Sequence, residues 1–100
     1  MAKLTREAAQ KILSNTSAEK RFFCKDGRVM KNLTELEATL KEMNDETFRY
    51  HANEKKNDFS NWVKDVIGDD DLAKELRKCS TRARAAKVVS SRIATLKKVK

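Results

Sequence analysis

Hydrophobic side chains recur along most of this chain at intervals of three and four residues, the spacing of one face of an α-helix. One such stripe consists of Leu33, Leu36, Leu40 and Met43. A second stripe consists of Phe59, Trp62, Val63, Val66 and Ile67. Asn32 directly precedes the first stripe, and Glu35 lies three residues after Asn32. This spacing is the arrangement of a capping box. The pattern predicts helices that begin near residues 33 and 58, each with one face in the core.

Capping residues and glycine predict further helices in the rest of the chain. One helix is expected from Thr5 to about residues 15–17, and another from about residue 45 to His51. Gly68 is expected to end the helix that begins near residue 58, because glycine readily adopts the left-handed conformation of a C′ residue. The acids at 69–71 favour a new helix N-terminus. A last helix is predicted from residues 80–81 to about Val99.

A short hairpin is predicted where Asp26 and Gly27 separate two apolar runs, residues 22–25 and 28–30. An Asp-Gly pair in this position is typical of a type I′ turn, in which both central residues take positive φ. Proline is absent and glycine occurs twice, which favours helix elsewhere. The predicted fold class is mainly α (α+β): a small helical domain with one short β-hairpin and a long basic C-terminal helix.

One domain over residues 1–100 is expected at this length, with an N-terminal helix in 1–18, a hairpin and helical core in 22–76, and a basic helix in 80–100. The residues expected to share one core are Phe22, Leu36, Leu40, Phe48, Phe59, Trp62, Val63, Val66 and Leu76. Cys24 is expected to be buried as a small hydrophobe, and Cys79, at a helix boundary, to be partly exposed. The sequence does not decide whether Tyr50 is buried or exposed. An exposed Tyr50 could stack on bases.

The charges of this chain are distributed unevenly. Residues 1–30 hold seven basic and three acidic side chains, a net charge of +4. Residues 31–76 hold seven basic and twelve acidic side chains, a net charge of −5. The 25 residues after Glu75, the last acid, hold nine basic side chains, which completes the formal net charge of +8. This asymmetry points to a polyanionic partner, because clustered Lys and Arg release counterions from a phosphate backbone.

The predicted C-terminal helix separates these charges from its apolar residues. Its outer face alternates cations with small or hydroxylated side chains, which lets the helix approach a phosphate backbone closely. The residues predicted to bind nucleic acid are Arg82, Arg84, Lys87, Ser91, Arg92, Lys97 and Lys98, joined by Lys3, Lys11, Lys20 and Arg21 if the N-terminal helix lies alongside. On the opposite face, Val89, Ile93 and Leu96 can anchor either the core or a homodimer.

The function favoured by this pattern is non-enzymatic binding of nucleic acid, with DNA preferred over RNA, as in a nucleoid protein that grips the backbone with low sequence specificity. An RNA- or ribosome-associated protein would use the same charges, and a module that docks an acidic protein is a third interpretation. Membrane binding is disfavoured, because the basic segment lacks Trp or Phe opposite its charges. No apolar run approaches the ~20 residues of a transmembrane helix.

The sequence predicts no catalytic, cofactor, metal or small-molecule site. His51, with Asn57 and Asp58 nearby, has the residue types of a catalytic site, but Asn57 and Asp58 are also good helix caps. One His and two distant cysteines provide too few ligands for zinc. With no apolar signal region and no disulfide framework, a cytoplasmic, nucleoid location is expected.

One stretch of the chain resembles a known family. The motifs are Lys25-Asp26-Gly27, Leu33-Thr34-Glu35-Leu36, the runs 48–54 and 57–69, and Leu72-Ala73. The segment from about Phe22 to Leu76 is similar to a small uncharacterised domain family found mainly in archaea and in some bacteria. The resemblance implies no activity, because the function of that family is unknown, and it leaves the basic segment after Glu75 outside.

Overall fold

The computed structural model describes residues 4–99 as a mainly α-helical fold with one two-stranded ribbon. The helices are α1 (Arg6–Leu13), α2 (Leu33–Glu42), α3 (Asp45–His51), α4 (Asp58–Trp62), α5 (Asp70–Arg77) and α6 (Arg82–Val99). A 3-10 turn over Ala18–Lys20 precedes the antiparallel strands β1 (Phe22–Phe23) and β2 (Val29–Met30). The predicted fold class is confirmed, although α1 ends earlier than residues 15–17. None of these helices combines the length and the apolar character that crossing a bilayer requires.

Side-chain caps begin α2, α3 and α4 where the sequence predicts them. Asn32 Oδ1 accepts a hydrogen bond from the Glu35 backbone N–H at 2.8 Å, and Glu35 Oε1 accepts one from the Lys31 backbone N–H at 2.8 Å. Asn44 and Asn57 each accept from the backbone N–H three residues later. These bonds satisfy donors that the first turn of a helix leaves free, so the starts of the three helices are determined locally.

The helix that begins with α4 ends in a wider turn. A π-helical turn over Val63–Ile67 continues α4, and the Gly68 backbone N–H donates to the Val63 carbonyl at 2.7 Å. Gly68 has a φ of +87°, the left-handed conformation predicted for it. Asp69 then caps α5 by accepting from the Leu72 backbone N–H at 3.2 Å. The chain therefore reverses over two residues, and α5 packs back against α4.

The turn of the hairpin differs from the predicted type. The pairing of β1 with β2 leaves residues 24–28 between the strands. The Gly27 backbone N–H donates to the Cys24 carbonyl at 3.0 Å, and the Cys24 N–H donates to the Arg28 carbonyl at 2.8 Å. Gly27 has a φ of +97°, whereas no described residue other than glycine has a positive φ. The type I′ prediction was therefore wrong, because it requires positive φ at Asp26 as well; a three-residue loop that ends in glycine avoids that strain.

The hydrophobic core lies between the apolar face of α6 and the helices around it. α6 packs along α2 and also contacts α1 and α5. Of the predicted core residues, all are buried except Val66, which is half-buried in the π-helical turn at the edge of the core. Val89, Ile93 and Leu96 are buried within a single chain. The core, rather than a homodimer, therefore uses this face of α6.

Both cysteines are buried, which corrects the expectation for Cys79. The thiol of Cys79 donates to the Glu75 carbonyl at 3.3 Å, one turn earlier in α5. The thiol thus satisfies a carbonyl near the end of α5, a contact that the sequence alone does not indicate. Burial raises the pKa of the Cys24 and Cys79 thiols above their usual value.

Aromatic side chains fix the hairpin to the helices. Phe22 packs edge-on against Trp62, with 5.8 Å between the ring centroids. Trp62 Nε1 donates to the Lys20 carbonyl at 2.7 Å, just before β1. After β1, the Lys25 backbone N–H donates to His51 Nε2 at 3.0 Å. β1 is therefore held by the helical core at both of its ends, and the placement of Trp62 in the core is confirmed.

Candidate nucleic-acid interface

α6 is divided lengthwise into a buried face and an exposed face, as its sequence predicts. The buried face consists of Ala85, Ala86, Val89, Ile93 and Leu96. The exposed face includes Arg84, Lys87, Ser91, Ala94 and Lys98. At 1.5 Å per residue, Arg84 and Lys98 are ~21 Å apart along the helix axis. The helix therefore presents a row of cations that are separated by small side chains.

The exposed cations of α6 form no ion pairs with the described part of the chain. Arg84, Lys87, Lys97 and Lys98 are all exposed, and no carboxylate within residues 4–99 pairs with them. Such side chains can meet a phosphate without first giving up an internal partner. We call these four residues, together with Ser91, the basic face.

Arg92 is engaged inside the fold. Its Nε donates to Asp69 Oδ2 at 2.7 Å, and its Nη2 donates to Asp69 Oδ1 at 3.0 Å. The Asp69 side chain is almost fully buried and caps α5 as well. A bidentate pair of this geometry is among the stronger hydrogen-bonded interactions in proteins. Arg92, predicted as a phosphate contact, instead joins α6 to the start of α5, and we leave it out of the basic face.

Arg82, the first residue of α6, is also engaged inside the fold. Its Nη1 donates to the Leu40 carbonyl at 2.9 Å and to the Lys41 carbonyl at 2.8 Å. Its Nε lies 3.4 Å from Asp45 Oδ1. The last turn of a helix leaves carbonyls without intrahelical partners, and Arg82 satisfies two of them at the end of α2. The predicted site residue Arg82 is therefore also left out of the basic face.

Two grooves flank the basic face, and their lining residues differ in charge. The groove towards α5 is lined by Asp71 and Glu75 as well as by Arg84. The groove towards α2 is lined by Lys41 and Lys87, with no carboxylate among its described lining residues. Glu37 lies 3.3 Å from Lys41, however, so a carboxylate is also present beside the α2 groove and charge does not favour one groove over the other. Sequence reasoning missed Lys41, since no local pattern connects a residue of α2 with the face of α6.

Glu37 links α2 to α6 and gives this contact a pH dependence. Its hydrogen bond with Ser90, then its interaction with Lys41 at 3.3 Å, and the more distant charge of Lys97 hold the pKa of Glu37 below its ordinary value. A carboxyl group whose pKa is lower in the folded than in the unfolded state stabilises the fold at pH values above its unfolded pKa. That contribution is lost as the pH falls through the folded pKa.

We therefore expect the stability contributed by Glu37 to be lost as the pH falls below about 4.5, its unfolded value. Replacing Ser90 with Ala removes the main cause and should raise the pKa of Glu37, which an NMR titration of its carboxyl carbon measures. The exposed neighbour provides the control, because Ser91→Ala should leave that pKa unchanged. An unchanged Glu37 pKa in Ser90→Ala would contradict this account.

The N-terminal cations lie elsewhere on the surface. α1 does pack against α6, but Lys11 and Lys20 line a depression together with Val66 and Ile67 of the π-helical turn, and no α6 residue is among the described residues that line it. Arg21 is exposed directly before β1. Lys3 lies outside the described residues. The structure therefore brings Lys11 and Lys20 together at a second basic spot.

His51 is held by hydrogen bonds at both ring nitrogens. Nε2 accepts from the Lys25 backbone N–H, so it carries no proton in this arrangement, and Nδ1 donates to Asp58 Oδ2 at 2.9 Å. Lys56 Nζ lies 3.1 Å from the same carboxylate oxygen. Both nitrogens thus connect α3 to the hairpin and to α4. Over residues 4–99, no three His, Cys, Asp or Glu side chains gather where they could hold a metal ion.

Comparison with known families gives one match. The model of a family of unknown function (DUF5752) matches residues 15–98. No curated protein and no solved structure matches the chain. The matched region is wider than the segment 22–76 that resembles a family in the sequence, and it contains α6 almost entirely. The basic face is therefore part of the family's domain rather than an addition to it.

Proposed function

This chain belongs to DUF5752, a family of unknown function, and we propose that it is a non-enzymatic protein that binds nucleic acid through the basic face of α6. The proposed partner is duplex DNA, and the proposed contacts are the phosphate oxygens of its backbone. The protein would act as a nucleoid protein does, with affinity for DNA in general and little preference for sequence.

The observation that supports this proposal is the division of roles among the cations of α6. Arg82 and Arg92 hold the helix against α2 and α5. The cations of the basic face, by contrast, are exposed and have no carboxylate partner within residues 4–99. All 18 residues of α6 lack an acidic side chain, although solubility alone does not require the absence of acids. Each cation that meets a phosphate releases a condensed counterion, which favours binding.

Helix dimensions favour duplex DNA over duplex RNA. An α-helix is about 10–12 Å in diameter with its side chains, and the major groove of B-DNA, about 12 Å wide, admits it. The deep, narrow major groove of A-form RNA does not. Small side chains at Ser91 and Ala94 permit a close approach to the backbone. α6 carries no Asn or Gln, the side chains that pair with adenine.

The affinity for duplex DNA should fall steeply with salt. The four cations of the basic face predict a slope of about −3.6 for log K against log salt, since each phosphate contact contributes about −0.9. Between about 50 and 200 mM salt, the affinity should therefore fall about 10²-fold. Fluorescence anisotropy with duplexes of unrelated sequence at several salt concentrations measures the slope, and the slope should be the same for each duplex.

The same titrations discriminate among the alternative partners. Structured RNA is the comparison ligand, and an acidic polypeptide such as polyglutamate tests for an acidic protein partner. Binding to duplex DNA should exceed binding to both at equal salt. A slope near zero, or tighter binding to RNA or polyglutamate than to DNA, would contradict the proposal.

A further inference from the structure

The β-ribbon exposes an apolar pair within a strongly basic segment. Phe23 is 65% exposed, and Val29, its partner across the two strands, is 45% exposed. Residues 20–31 contain one acid, Asp26, and five cations: Lys20, Arg21, Lys25, Arg28 and Lys31. Arg28 is paired with Asp26 and with Glu42 of α2, which lies beside Val29 together with Glu35, so four cations have no carboxylate partner within residues 4–99. Single exposed hydrophobic residues are common on protein surfaces. Here an aromatic and an aliphatic side chain lie side by side in register, with cations before, between and after them in the sequence.

The ribbon holds Phe23 in this position rigidly. Side chains of consecutive strand residues point to opposite faces, so the burial of Phe22 in the core turns Phe23 outward. Before β1, Trp62 Nε1 donates to the Lys20 carbonyl, and after it the Lys25 backbone N–H donates to His51 Nε2. After β2, the Thr16 backbone N–H donates to the Lys31 carbonyl at 2.7 Å. Because the main chain on either side of Phe23 is held in this way, a ligand that covers the ring requires little ordering of the backbone.

We propose that the outer face of the ribbon, Phe23 with Val29 beside it, is a base-stacking platform for single-stranded nucleic acid. A base would stack on the Phe23 ring, and cations of the ribbon would contact the adjoining phosphates. This proposal goes beyond the duplex-binding function and does not rest on the basic face of α6. It requires unpaired bases, because the faces of bases in a duplex are already stacked on one another.

The charge of the ribbon favours single-stranded nucleic acid over other ligands of this surface. A second copy of the chain would bring two ribbons together. Arg28 is paired with Asp26 and Glu42, but the other four cations of each ribbon pair with no carboxylate within residues 4–99, and like charges repel. A membrane anchor of this kind needs a larger apolar face than one aromatic and one valine side chain. Single-stranded nucleic acid satisfies both parts of the surface, since it presents aromatic bases and phosphates in alternation.

A second aromatic ring lies beside the turn of the ribbon. Lys25 Nζ is 4.3 Å from the centroid of the Tyr50 ring, and Lys56 Nζ is 4.7 Å from it. Tyr50 is 48% exposed, which resolves its open assignment. Lys25, in the turn of the ribbon, and Lys56 thus lie over this exposed ring, which adds cations near the ribbon.

The test measures binding to oligothymidylate and oligouridylate of equal length by fluorescence anisotropy. F23A should weaken binding about 10-fold or more, which is the effect of removing one stacked aromatic. F23L keeps an apolar side chain without a ring and should weaken binding nearly as much. F23W should bind at least as tightly as the wild type. Its added indole fluorescence should be quenched by the oligonucleotide, while the buried Trp62 serves as the unquenched reference.

Three outcomes would overturn the proposal. The first is wild-type affinity for both oligonucleotides in F23A, with unchanged thermal unfolding. The second is wild-type affinity in F23L, which would indicate a general apolar contact such as a protein partner. The third is an effect of F23A on binding to anionic phospholipid vesicles alone.

A charge-reversed basic face separates this proposal from the duplex-binding one. In the Arg84→Glu/Lys87→Glu background, the ratio between wild-type Phe23 and F23A affinities for oligothymidylate should be unchanged. Loss of that ratio would mean that the two surfaces form one site and would contradict an independent platform. Conversely, F23A should leave duplex affinity within about 2-fold of the wild type, because stacking on an unpaired base does not contribute there.

Discussion

Replacing Asp69 with Ala should lower the free energy of unfolding by about 3 kcal/mol, the size of effect seen when one partner of a buried ion pair is removed. Asp69 is 3% exposed and accepts two hydrogen bonds from Arg92 and one from the Leu72 backbone N–H. Its loss leaves a largely buried guanidinium without a carboxylate and removes the cap of α5. For a domain of this size, the melting temperature should fall by about 15 °C.

A matched substitution at the surface isolates the effect of burial. Asp45→Ala also removes a carboxylate that faces an arginine, but the Asp45 side chain is 70% exposed, so the cost should stay below about 1 kcal/mol. The double variant Asp69→Ser/Arg92→Met keeps a capping oxygen and leaves no buried charge without a partner. Most of the stability lost in Asp69→Ala should therefore return. Equal melting temperatures for Asp69→Ala and Asp45→Ala would contradict a structural role for the Arg92 pair.

The features predicted correctly from the sequence are those that depend on neighbouring residues. The stripe of α2, the two faces of α6 and the caps at Asn32 and Asn57 all follow from spacings of three or four positions, and the structure reproduces them. Gly68 ends its helix for an equally local reason, since its backbone takes a positive φ. Patterns of this kind involve residues within about one helical turn of each other, so the spacing of residues in the sequence is enough to predict them.

The features that the sequence did not predict depend on contacts between distant segments. Helical spacing places Arg92 towards the side of α6, about 120° from Lys98, but it does not show that Arg92 meets a buried carboxylate that precedes α5. Arg82 likewise donates hydrogen bonds to backbone carbonyls at the end of α2. The turn at Gly27 depends on the register of β1 with β2, which the packing of Phe22 in the core determines. Helical spacing separates these two arginines from Arg84, Lys87 and Lys98, but the partners that hold them lie in distant segments and cannot be identified from the C-terminal segment alone.

The internal contacts of α6 decide how its function can be tested. Deletion of residues 80–100 would remove Val89, Ile93 and Leu96 from the core as well as the basic face, so the shortened chain would lose binding by failing to fold. Substitution of Arg82 or Arg92 would likewise alter the packing of α6. Arg84 and Lys87 are free of this problem, because both are exposed and pair with no carboxylate in the described range.

Charge reversal at these two residues, Arg84→Glu with Lys87→Glu, should weaken binding to duplex DNA about 10²-fold at about 100 mM salt. Each lost phosphate contact is worth a little less than 10-fold at that salt concentration, and the two new carboxylates repel the backbone. The salt slope should become shallower by about 1.8, the share of two contacts. Thermal unfolding should stay close to that of the wild type, because the apolar face of α6 is unchanged.

The most direct measurement compares this variant with Lys64→Glu/Lys74→Glu, which changes the net charge equally at exposed positions outside α6. Both proteins are titrated with the same duplex over the same salt series by fluorescence anisotropy. If the basic face binds the phosphate backbone, the α6 variant loses affinity and slope while the control keeps the wild-type slope. If the folded α6 variant binds duplex DNA as tightly as the control, the basic face is not the site.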